Sequence, residues 1–121
     1  MRDRLKFRAW DLRNERMCEV RQMNWHEEGC LVGLFPGGAG WTQFYELRDI
    51  ILMQCTGIED CNGKEIYEGD ILQFEDNVTV VEWNENHFQE YHKGDHNYSG
   101  LLTTEGAERH ISKIIGNIYE D

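Results

Sequence analysis

The stretch from Thr56 to Trp83 constrains the fold most, because turn signals interrupt it before a helix of ordinary length can form. Asp60-Cys61-Asn62-Gly63-Lys64 is a tight turn, since Asn and Gly accept the positive φ that short loops require. Glu68-Gly69 marks a second turn, and Asp70 behind it is placed to stabilise that turn by accepting backbone N–H bonds. Ile71–Glu75 and Val78–Trp83 then read as strands joined by a loop at Asp76-Asn77. That loop sets Leu72 opposite Val81 and Phe74 opposite Thr79, with Trp83 on the same apolar face. Ile71, Gln73, Glu75, Val78, Val80 and Glu82 share the other face, so a half-buried hairpin follows.

The rest of the chain repeats this grammar. It has a single proline, Pro36, and short runs of β-branched and aromatic residues between turns. In Leu5–Trp10, Leu5, Phe7 and Ala9 alternate with Lys6, Arg8 and Trp10. Asp11–Glu15 is a hairpin loop, and residues 16–22 return as a strand with Cys18 and Val20 on one face. Residues 25–41 hold five of the twelve glycines and read as a mobile connection around a short strand at 31–35. Residues 50–54 form a buried strand. Residues 84–110 are polar, hold four of the five histidines, and admit a strand through Phe88 and Tyr91. Ile111–Tyr119 is a last strand, interrupted at Gly116 by a bulge. The expected fold is mainly β: an N-terminal β-hairpin lobe with a Gly-rich connection over residues 1–55, and a small β-sandwich or SH3-like barrel over 56–121.

Charge narrows the partners. The formal net charge is −11, but residues 1–16 carry a net of +3 and the remainder −14. Most of the surface should repel polyanions, whose binding draws on clustered Lys and Arg. The basic arm can instead pair with the acidic body, within the chain or between subunits. Mean hydropathy is −0.68, and no apolar run nears the ~18 residues that span a bilayer. Met1–Lys6 lacks the apolar core of an export signal, so a cytoplasmic location with reduced thiols is expected. Cys18, Cys30, Cys55 and Cys61 include no C-x₂-C pair, which leaves a structural zinc site without support. Cys18 reads as a small core residue and Cys61 as an exposed turn residue.

His87, His92 and His96, interleaved with Glu85, Glu90 and Asp95, are the best metal candidates by residue type. Gly94 between His92 and His96 argues for a solvated loop, and no metal or other cofactor is expected. Lys6, Arg8 and Trp10 can make a small stacking and phosphate-binding strip, although packing of Trp10 beneath a neighbouring loop explains it as well. Trp10, Trp25, Trp41 and Trp83 read as core or interface anchors. No G-x-S-x-G elbow occurs, and Phe35-Pro36-Gly37-Gly38-Ala39-Gly40 is followed by no Gly-Lys-Ser/Thr. Glu65, Glu68 and Asp70 are explained by turn and strand-start roles. No catalytic residue is assigned.

Three ordered blocks carry a family likeness: Leu5-Lys6-Phe7-Arg8-Ala9-Trp10-Asp11; Leu52–Gly57 continuing through Asn62–Leu72; and Ile115-Gly116-Asn117-Ile118-Tyr119-Glu120. Together they resemble the YopX family of small phage and prophage proteins. The resemblance implies an all-β fold and a tendency to oligomerise, and carries over no catalytic residue. Cys55 and Cys61 stand where an aromatic and a polar residue are expected, so it assigns these thiols no role. The resulting expectation is a non-enzymatic interaction module of a bacterial host cytoplasm, a homo-oligomer that binds a host or phage protein. A nucleic-acid regulator using residues 2–16 is the alternative, and a metal-dependent enzyme using the 87–96 histidines a third. A membrane partner is not expected.

Overall fold

A computed structural model describes residues 6–38, 40–104 and 106–120. The expectations for Arg2, Arg4, Leu5 and Ala39 fall outside the described residues. The chain divides between Gln54 and Cys55 into two compact units, each antiparallel β. No α-helix occurs among the described residues.

The first unit comprises β1 (Phe7–Asp11), β2 (Arg16–His26), β3 (Gly29–Phe35), β4 (Gln43–Glu46) and the first half of β5 (Ile50–Glu59). Its strand order is β4-β3-β2-β1-β5. Ala9, Cys18, Cys30, Val32, Leu34, Tyr45 and Ile50 form its core, so Cys18 packs as expected and burial pushes its thiol pKa up. Residues 25–41 depart from expectation. β2 runs on to His26, turns through Glu27-Glu28 and pairs with β3 from Gly29 onward. The glycine at 33 answers a packing demand rather than a mobile connection: a Cβ there would stand 3.1 Å from a ring carbon of Phe44.

Asp11 organises this unit. It is fully buried, with Oδ1 accepting from the backbone N–H groups of Arg13 and Asn14. Oδ2 accepts from the Asn14 amide, the Arg16 guanidinium and the Tyr45 hydroxyl at 2.9, 3.2 and 2.8 Å. Burial would raise its pKa, but these hydrogen bonds outweigh it and bring the value down to about 2.

The second unit contains the end of β5, β6 (Glu65–Tyr67), β7 (Asp70–Phe74), β8 (Asn77–Asn84), β9 (His87–His92), β10 (Tyr98–Leu101) and β11 (Lys113–Asn117). Its five-stranded sheet has the order β10-β9-β8-β7-β11 and stays open, so the expected SH3-like barrel does not close. Ile66, Leu72, Val81 and Leu102 form its core, with Ile58, Phe88 and Ile114 packed against them. The β7–β8 register corrects the sequence pairing. The loop is Glu75-Asp76, Glu75 takes φ +56°, and Leu72 pairs with Thr79 rather than Val81. Phe74, expected inside, is 40% exposed, and Trp83 lies half-exposed edge-on to Phe88. The break in β11 is where expected: pairing with β7 shifts between Ile114 and Gly116.

Asp60 and Asp70 serve the turns that the sequence marked. Asp60 is buried, accepts from the N–H groups of Asn62 and Lys64 through Oδ1, and from Ile114 through Oδ2 at 3.0 Å. It thus ties its own turn to β11. Asp70, also buried, accepts the Tyr67 N–H at 2.8 Å.

Candidate functional site

The 84–110 segment places its histidines apart. His87 opens β9 and His92 closes it, five residues on and therefore facing opposite sides of the strand, roughly 17 Å away at the strand rise. His87 Nε2 lies 3.2 Å from Gln89 Oε1, within a polar group that includes Asn84 and Glu82. His96 stacks on Tyr91 with ring centroids 3.8 Å apart. Among the described residues no group of three His, Cys, Asp or Glu side chains is placed to hold a metal ion.

Two basic residues of the N-terminal segment, Arg13 and Arg16, are engaged within the first unit. Arg13 bonds Asp49 at 2.8 Å and lies over the Tyr45 ring, while Arg16 bonds Asp11. Trp10 is buried, paired with Met17 and Ile51 inside the sheet, and offers no face on which a base can stack. Trp25 and Trp41 are 71% and 81% exposed.

The structure instead assembles a site that sequence spacing did not show. A groove of about 530 Å³ opens on the second unit, a volume within the range of ligand sites. Thr79 from β8, Glu90 from β9 and His110 from the segment before β11 meet at its floor. The His110 segment is held at both ends: the Leu102 N–H donates to the Phe88 carbonyl, the His110 N–H to the Glu59 carbonyl, and the Cys61 N–H to the Ser112 carbonyl. Phe74, Tyr98, Leu101 and Ile111, all at least 40% exposed, form the rim.

Hydrogen bonds fix the chemistry of this floor. The Thr79 hydroxyl donates to Glu90 Oε1 at 2.6 Å. The Ser112 backbone N–H points at His110 Nδ1 at 3.0 Å, so Nδ1 must accept and the ring proton sits on Nε2. That proton is donated to Glu90 Oε2 at 3.1 Å. Burial raises the Glu90 pKa, but the hydrogen bonds from His110 and Thr79 bring it below the ordinary value. The result is an ionised carboxylate beside a neutral imidazole. Both ring nitrogens are engaged, so His110 acts as a positioning donor, and the group presents a fixed negative charge to the groove.

A family model described as YopX protein matches residues 6–121. The chain belongs to the YopX family. The match includes residues 23–49 and 85–110, which lie outside the three blocks that carry the resemblance. Among solved structures, the crystal structure of protein EF1440 from Enterococcus faecalis is similar over 96% of this chain and 94% of that one, with a TM-score of 0.61 and 22% identity. At that identity the likeness is one of fold. No curated protein matches this YopX-family chain. Of the site, only Glu90 was singled out by sequence, in the company of His87 and His92. Thr79, His110 and Ser112 were missed because they come from separate elements; a histidine set just before the apolar run at Ile111 is the one trace they leave.

Proposed function

We propose that this chain is a non-enzymatic interaction module of phage or prophage origin that self-associates and binds a protein partner in the cytoplasm of a bacterial host cell. Membership in the YopX family supports the origin. The observation that carries self-association is the outward side of β3 and β4. Leu31 and Phe44 share that side, 36% and 50% exposed, and Trp41 just before β4 is more exposed still. β4 is the edge of its sheet, with no described strand on its far side, and an apolar edge of this kind is a template for pairing.

A second copy suits this edge. Eight basic and eight acidic side chains cancel in residues 1–54, while the whole formal charge of −11 sits on residues 55–121. Residues 1–54 of two copies therefore carry no net charge where they meet at β4, and antiparallel β4–β4 pairing about a two-fold axis closes the assembly. Light scattering after size-exclusion chromatography, over a range of salt and protein concentrations, tests this. The wild-type chain should form a dimer or larger species, and Phe44→Glu a monomer with an unchanged circular dichroism spectrum. A strict monomer under every condition overturns self-association.

A further inference from the structure

The groove on the second unit has an occupant written in its chemistry. Glu90 is ionised and lines the groove with 13% of its side chain exposed. Its internal donors, Thr79 and neutral His110, stabilise the charge without cancelling it, and among the described residues no Lys or Arg pairs with it. Around this carboxylate stand Phe74 and Tyr98, whose ring faces attract cations, and Leu101 and Ile111, which suit a methylene stem. One wall is β10, the edge strand of the five-stranded sheet, with no described strand on its outer side. The surrounding residues 55–121 carry fifteen acidic and four basic side chains, a field that draws in cationic chains and repels nucleic acid and anionic lipid.

We propose that this groove receives an arginine or lysine side chain from a partner polypeptide whose backbone lies along β10 as an added strand. The cation meets the Glu90 carboxylate, its stem lies against Leu101 and Ile111, and main-chain hydrogen bonds to β10 supply affinity independent of the neighbouring sequence. The second unit of another copy is a poor occupant, because it carries the same negative charge. The inference deepens the reading that the chain binds a protein partner. It is separable from self-association, since every residue it uses lies in the second unit and none in β3 or β4.

The test uses the full chain and a positional library of acetylated, amidated heptapeptides rich in Val and Thr, with one residue varied in turn. Arginine or lysine should be selected at one position, with binding weakened as salt rises. Two-dimensional NMR should then show shifts confined to β10 and the Thr79–Glu90–His110 floor. Ile111→Lys places a cation at an exposed rim position and should weaken the best peptide at least tenfold, whereas Ile111→Glu should tighten it. Because Ile111 is 55% exposed, both variants keep the fold, and Glu90→Gln need not be relied on. The proposal is overturned if no basic residue is selected, if Ile111→Lys and Ile111→Glu bind alike, or if acetyl-arginine amide alone binds as tightly as the peptide. The last result would show that β10 takes no part. Peptide binding by a chain that stays monomeric would uphold the inference while self-association fails.

Discussion

Replacing Asp11 by asparagine isolates the contribution of one buried charge. The carboxylate accepts five hydrogen bonds, two from backbone N–H groups and three from Asn14, Arg16 and Tyr45. Asparagine keeps the shape, and its oxygen can still take the two backbone donors. Its amide then points N–H groups at the Asn14 amide and the Arg16 guanidinium, donor against donor. The pKa measures what the charge contributes. It falls from the ordinary 3.8 to about 2 in the folded chain, and that gap corresponds to about 2 kcal/mol of stability at neutral pH.

The sign follows from the direction of the shift. The folded pKa lies below the unfolded one, so the contribution is complete above the unfolded value, from about pH 5 upward. It is lost as pH falls through the folded value, and by pH 2 roughly 0.4 kcal/mol remains. Urea unfolding of wild type and Asp11→Asn should be compared at pH 7, 5, 3 and 2, following resolved amide signals of residues 6–54. The two units need not unfold together, so a signal from the first unit is required. The difference between the proteins should be about 2–3 kcal/mol at pH 7 and shrink by about 2 kcal/mol between pH 5 and pH 2. A difference that is independent of pH, or below about 0.5 kcal/mol at pH 7, refutes the reasoning.

Asp60→Ala should cost the second unit about 3 kcal/mol by urea unfolding, because it strands three backbone N–H donors, one of them on β11. Leu72→Ala, at a position with no exposure, should cost about 2–5 kcal/mol, whereas Phe74→Ala two residues on should cost about 1 kcal/mol or less. A long-range ¹H–¹⁵N spectrum at pH 7 should show His110 protonated at Nε2 and bare at Nδ1, with the reverse tautomer counting against the Glu90 assignment.

Most elements were legible because turn chemistry and alternation agreed, whereas the short strands β4, β6 and β10 were not read from the sequence. Asn62-Gly63, Gly69-Asp70 and the bulge near Gly116 all lie where their residue types placed them. Register was less legible, for a physical reason. Moving the β7–β8 loop from Asp76-Asn77 to Glu75-Asp76 slides the pairing by two residues, and a two-residue slide leaves every side chain on its original face. Hydrophobic pattern cannot distinguish the two registers; only the willingness of Glu75 to take a positive φ can, and glutamate does not advertise it. Likewise, the glycines of residues 25–41 resemble a flexible tract until Phe44 is seen lying over Gly33. The groove was illegible because its charge and its donors converge from three distant stretches of chain.

The acidic residues divide by where their lone pairs are aimed. Asp11, Asp60 and Asp70 are as acidic by composition as any others, yet each is buried and turned back on backbone N–H groups at a chain reversal. They act as fold-forming groups, and an outside cation reaching them would have to displace those donors. Glu90 is held by a threonine hydroxyl and an imidazole behind it, which fix its position while it still borders an open groove. A carboxylate with rigid internal donors and an accessible edge is preorganised: a cation arriving there need not order the side chain or strip a full hydration shell. The same net charge that makes the second unit a poor partner for its own copy therefore makes Glu90 its point of recognition for a basic chain.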